Sequence, residues 1–158
     1  MTIKAVKKYF EQYGRVNDIL EFEESSATVD LAAQALQVIP ARIAKTLSFK
    51  NEPGCLLIVT AGDTKVDNSK FKAEFGFKAK MLAPDEVLTL TGHAVGGVCP
   101  FGLINPEVKV FLDVSLQRFV TVFPACGSSN SAIELNCEEL YQYAHGLKWI
   151  DVCKNWQV

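Results

Sequence analysis

The sequence predicts a mixed α/β fold with a strongly curved sheet. Three observations carry that prediction. Short strand patterns are interleaved with short helical ones, without the strict strand–helix–strand alternation of a doubly wound parallel sheet. The chain has 158 residues, the length of one domain, and can bury a core without staples. No repeat, low-complexity tract or linker interrupts it, so residues 1–158 read as a single domain.

The elements follow in order. Ile3, Val6, Phe10 and Tyr13 recur at helical spacing, which predicts a helix over 2–13 with Gly14 as its stop. Residues 17–22 read as a strand, and 26–36 as a helix capped by Ser or Thr. Residues 43–49 and 55–61 are strand patterns joined by the turn Asn51-Glu-Pro-Gly54. A helix follows over 67–75, with Gly76 past its end, and then a short strand over 78–82. Pro84 opens a helix to Leu90, and Gly92 stands behind it. Further strands are read at 108–112, 119–123 and 132–135. Asn136-Cys-Glu-Glu139 has the spacing of a capping box and starts a helix to about Ala144. Residues 148–153 read as a closing strand.

Composition narrows the function. Hydrophobic residues make up 49% and charged residues 22%, as in ordinary globular proteins. The longest strongly apolar run, 55–59, is far too short to span a bilayer. The first ten residues are amphipathic and lack a signal-peptide core, so the reading is a soluble, cytoplasmic protein with no membrane partner. Five cysteines, at 55, 99, 126, 137 and 153, form no C-x-x-C pair and leave one unmatched. Neither a disulfide framework nor a metal site is signalled. The net charge of −2 does not advertise nucleic acid. Its distribution is less neutral: seven lysines (45, 50, 65, 70, 72, 78, 80) meet four acids (52, 63, 67, 74) between residues 45 and 80. Such a zone is either a solvated face or a surface that steers a polyanion.

Few residues invite chemistry. The period of two puts Lys45 on the same strand face as Ile43, Leu47 and Phe49. An unpaired ammonium is expensive to bury. Lys45 therefore either snorkels from a strand end or points into a pocket that takes an anion. Gly96-Gly97, ahead of Val98-Cys99-Pro100, are either a turn or bare backbone whose N–H groups can face an oxyanion or a phosphate. No P-loop or dinucleotide fingerprint is present. Cys99 needs a base to become a nucleophile, and His93 and His145 are the two histidines. Pro124–Ser131 is a polar turn that offers Ser128, Ser129 and Asn130 to a ligand, or simply joins two strands.

Three segments, in order and spacing, carry a resemblance: Ile43-Ala-Lys-Thr-Leu47, Thr60-Ala-Gly-Asp63 and Gly96-Gly-Val-Cys-Pro-Phe101. Together they resemble the YbaK family, that of the prolyl-tRNA synthetase editing domain and its free-standing relatives. The similarity runs from about residue 15 to 153. It implies a curved, barrel-like mixed sheet flanked by helices. It also implies trans-editing: hydrolysis of the ester that joins a wrong, small amino acid to a tRNA, with tRNA(Pro) the expected acceptor. The family's lysine falls on Lys45 and its G-x-x-x-P loop on Gly96 to Pro100. The resemblance implies no metal and no cofactor, and attack by a water or by the substrate's own ribose hydroxyl.

On that basis Lys45 meets the terminal phosphate or ribose, and the amides of Gly96 and Gly97 hold the developing oxyanion. Thr46, Val98, Cys99, Pro100, Gly127 and Ser128 are expected to contact substrate. Ser25, Ser26, Thr28 and Val29 are expected to select the amino acid. The expected partner is the tRNA acceptor end, with a synthetase or an elongation factor as further candidates. Two positions depart from the family's pattern: Ala132 stands where an aspartate is usual, and Cys99 where serine is common. The competing readings are a non-catalytic binding or interaction module of the same fold and an enzyme built on Cys99.

Overall fold

The computed structural model describes residues 2–156; Met1, Gln157 and Val158 lie outside the described residues, as do those ends of the expected 1–158 unit. Five helices and ten strands are described. In order they are α1 (Thr2–Glu11), β1 (Leu20–Glu21), α2 (Val29–Leu36), β2 (Ile43–Asn51), β3 (Gly54–Ala61), β4 (Lys65–Val66), α3 (Asn68–Phe75) and α4 (Pro84–Thr91). Then come β5 (Val108–Asp113), β6 (Thr121–Pro124), β7 (Ser131–Ala132), β8 (Leu135–Asn136), α5 (Cys137–Tyr143), β9 (Trp149–Ile150) and β10 (Cys153–Lys154). Six strands form a curled mixed sheet in the order β8-β6-β2-β3-β5-β9.

The centre of that sheet follows from its sequence. Every residue of β3 is buried. A strand covered on both faces reads as a continuous apolar run, and Cys55 to Val59 is one. Leu57 and Val59 face a core with Phe10, Phe101, Leu112 and Leu140. Their neighbours Leu56 and Ile58 face a second core with Phe49, Phe71 and Val152. β2 and β3 pair antiparallel from Ala44↔Ala61 to Asn51↔Gly54, leaving Glu52-Pro53 as the loop. Gly54 is required there: a Cβ would lie 1.9 Å from the Glu107 carbonyl oxygen.

Several boundaries differ from the sequence reading, each for a local reason. Helix α1 ends two residues early, and Gly14 reverses the chain at φ +68°. Residues 16–18 form a 3₁₀ turn, so only Leu20 and Glu21 pair as strand, with Ser131 and Ala132. Helix α2 starts at Val29 because Thr28 is its cap, accepting from the Leu31 amide. Residues 78–82 make one bridge, Phe49↔Met81, rather than a strand. Asp113 caps a 3₁₀ turn over 114–118, which delays β6 to Thr121. The expected strand at 132–135 is two: Ser131–Ala132 on β1 and Leu135–Asn136 on β6. The closing strand also divides, into Trp149–Ile150 on β5 and Cys153–Lys154 on β4. The capping box at Asn136 and Glu139 is formed in both directions.

One feature of β2 positions the site. On its outer edge β6 pairs only with Ile43 and Ala44. The same edge is taken up again at Ser48 and Lys50, by Leu82 and Lys80. Between these points β2 has no ladder partner on that side among the described residues. Lys45 lies in the gap.

Candidate active site

A cavity of about 100 Å³ opens where β2 and β6 part. Its floor is Ile43, Ala44 and Thr46 of β2 with Phe123 and Ala125 of the β6 end. Ser26, Ala27, Thr28, Val29 and Ala32 close it from α2 and the segment before it. Val95, Gly96 and Val98 form one rim, and Ser131 and Ala132 the other. The walls are mostly small and apolar. The volume suits about three water-sized groups.

Lys45 stands at the mouth. It lines both this cavity and an adjoining groove of about 330 Å³ with Leu47, Phe49, Lys65, Asn68 and Met81. Its ammonium donates to the carbonyl oxygens of Thr64 and of Gly62, the latter at 3.5 Å. Half-burial holds its pKa below the ordinary lysine value, because a charge is harder to keep away from water. No carboxylate is within ion-pairing distance of the ammonium among the described residues, so its charge faces a cavity that could receive an anion. The structure thus combines the two sequence alternatives: a side chain near a strand end that also faces a pocket.

The glycines separate. Gly96 lines the cavity, and a Cβ there would make ordinary contacts of 3.5 and 3.6 Å with Ala27 and Ser129. Gly97 is buried off the wall, and a Cβ would come within 2.7 Å of the Ser128 backbone and 2.8 Å of Gly127. It is a glycine because two backbones meet there. Its amide donates to the Ala94 carbonyl at 2.9 Å. Residues 95–97 are one 3₁₀ turn, and the amides of Val95 and Gly96 precede its first internal bond. Of the two glycines expected to face substrate, Gly96 lies on the cavity wall, while the Gly97 amide is committed to the turn.

Cys99 does not reach the cavity. It is fully buried, and burial pushes its thiol up to about 12. His93 is also buried; its Nε2 lies 2.8 Å from the Phe101 carbonyl oxygen and 3.6 Å from the Cys99 sulfur. A carbonyl can only accept, so Nε2 carries the hydrogen and is not a base toward the thiol. A neutral thiol without a base is no nucleophile. Pro100 lies on a different cavity, of about 200 Å³, with Tyr9, Leu103 and His145.

Of the other expected contacts, Ser26, Thr28, Val29, Thr46 and Val98 line the cavity, whereas Ser25, Gly127 and Ser128 are not part of its wall. The hydroxyls are largely spent on structure. Ser25 and Ser26 donate to the Ser129 carbonyl at 3.5 and 3.2 Å. Ser128 Oγ lies 2.9 Å from Asn130 Oδ1 and 2.7 Å from Ser131 Oγ. Sequence reasoning missed Ala32, Ile43, Ala44, Val95, Phe123, Ala125 and Ser131 as cavity residues. Ile43 and Ala44 adjoin Lys45 in the sequence; the others reach the cavity by tertiary packing, which leaves no local signal.

The pattern of the aminoacyl-tRNA editing domain matches residues 23–143, which include every residue of this cavity. The chain belongs to that family. A Bacillus subtilis (strain 168) protein, described as uncharacterized protein YwhH, is 57% identical over 158 residues, 99% of this chain and 100% of that one. The proline–tRNA ligase of Thermotoga maritima is 30% identical over 91 residues, which are 57% of this chain and 15% of the ligase. A solved structure described as a candidate trans-editing enzyme for prolyl tRNA synthetase superposes with TM-score 0.86 at 28% identity, covering 98% of both chains. The YbaK-type editing fold expected from the three segments is the fold observed. Among the described residues, no helix of this editing domain is long and apolar enough to cross a membrane.

Proposed function

We propose that this editing domain is a deacylase that hydrolyses the ester of a mischarged tRNA, with tRNA(Pro) carrying a small amino acid as substrate. The observation that carries the reading is the small, mostly apolar cavity with an unpaired, half-buried lysine at its mouth. The aminoacyl side chain enters the cavity. Lys45 meets the terminal phosphate or ribose, where partial burial strengthens the attraction. The Gly96 amide faces the ester carbonyl and holds its developing negative charge; one such donor is typically worth about 100- to 1000-fold in rate. Gly97 shapes the turn that presents it. A positioned water, or the ribose hydroxyl with water following, attacks the carbonyl carbon, and the ester oxygen leaves on the ribose with a proton. Lys65, Lys72, Lys78 and Lys80 make no ion pair among the described residues. They guide the acceptor stem. The setting is the cytoplasm, where tRNA is charged.

A second reading, a binding module without catalysis, draws on the absence of any carboxylate from the described cavity wall, Ala132 included. A panel separates the two. Ala-, Ser- and Cys-tRNA(Pro) are incubated with the protein beside Pro-tRNA(Pro). Selective hydrolysis of the small mischarged esters supports the deacylase; tight binding with no hydrolysis contradicts it.

A further inference from the structure

The turn Ala61–Thr64 joins β3 to β4 and holds the Lys45 ammonium. It supplies the two accepting carbonyls, those of Gly62 and Thr64. Thr64 closes the turn on the Ala61 carbonyl through its amide at 3.3 Å and its hydroxyl at 2.7 Å. On the cavity side the turn is pressed against its neighbours: a Cβ at Gly62 would lie 2.2 Å from the Pro40 carbonyl oxygen and 2.7 Å from a Val29 methyl. On the far side Asp63 accepts from both terminal nitrogens of Arg118, at 2.6 and 3.0 Å. That guanidinium is fixed in turn. Its Nε donates to the Ser115 carbonyl at 2.9 Å and Nη1 to the Trp156 carbonyl at 3.0 Å. It also lies over the rings of Phe119 and Trp156, at 4.8 and 5.0 Å.

We infer that Arg118 is a positioning residue for Lys45, acting through Asp63. A lysine is a point charge on a flexible stem and stands where its acceptors hold it. The planar fork of Arg118 grips the Asp63 carboxylate in one orientation. It thereby fixes the turn, and the turn's carbonyls fix the ammonium at the cavity mouth. A surface ion pair adds little stability, so the value of this one lies in direction. The inference rests on Lys45 anchoring the substrate, as proposed above.

Two variants of the full chain test it. Arg118→Lys keeps the charge and loses the fork; Arg118→Gln keeps a polar side chain and loses the charge. Urea denaturation verifies that each folds. Both shift the ε-carbon resonance of Lys45 and its titration midpoint, and kcat for deacylation falls roughly 10- to 100-fold, the size expected of a misplacement near 1 Å. In a Lys45→Ala background neither variant slows the reaction further, as two residues acting through one contact require. Folded variants with an unmoved Lys45 resonance overturn the inference, as do losses that add in full to that of Lys45→Ala. A wild type that hydrolyses no ester overturns the proposed activity instead, while the resonance still decides the positioning.

Discussion

A methyl group on Gly97 would collide with the Ser128 backbone at 2.7 Å, while one on Gly96 would meet only side-chain methylenes and methyls at 3.5 Å or more. Two adjacent glycines therefore fail differently. Gly97→Ala is expected to destabilise by about 1–3 kcal/mol, as overpacking does. Gly96→Ala should unfold at nearly the wild-type urea midpoint but slow deacylation, because it adds a methyl to a residue of the cavity wall. Equal loss of stability in both variants would contradict this division. The doublet was legible in the sequence as a special backbone; which glycine faces the ligand was not, since that depends on where residues 127 and 128 pass.

His93 gives a pH dependence at the same scale. Burial holds its imidazole below the ordinary histidine pKa, and Nδ1 has no hydrogen-bond partner among the described residues. Protonation would add a donor where no acceptor stands. The unfolded chain takes up that proton first, near pH 6.5, so stability is complete above that value and falls as pH drops below it. The slope from this group is at most about 1.4 kcal/mol per pH unit. Urea midpoints measured from pH 7.5 to 5.5 check it: the wild type loses stability over the lower part and His93→Gln is flatter. Parallel curves would contradict the assignment.

At the scale of elements, local chemistry decided what could be read. The β2–β3 hairpin, the Asn136 cap and the Gly76 and Gly92 stops were legible because each is a side-chain or φ requirement within a few residues. The pairs β1–β7 and β4–β10 were not, because two-residue ladders are imposed by distant partners. Lys45 was legible as a charge on an apolar strand face. The reason it has room was not. That reason is an interval on β2 between β6 and residues 80–82, and it exists only once the sheet curls.

Over the whole molecule, a net charge of −2 hides an uneven surface. Lys50 and Lys70 are paired with Glu86 and Asp151, but Lys65, Lys72, Lys78 and Lys80 are not paired among the described residues. If those four contact phosphates, the logarithm of the tRNA association constant falls with the logarithm of salt at a slope of about −3 to −4. Titration at several salt concentrations measures it, and a flat line would remove the lysines from the interface. The family, by contrast, was legible from three short segments, because they include the lysine strand and the glycine turn that form two sides of the cavity.

The account turns on Lys45 and the ester. The most direct test is single-turnover hydrolysis of Ala-tRNA(Pro) by the wild type and by Lys45→Ala, with folding of both verified by urea denaturation. The account predicts rapid release of alanine by the wild type and a loss of roughly 100-fold or more in the folded variant, comparable to removing one transition-state contact. Equal rates in the two proteins would contradict it.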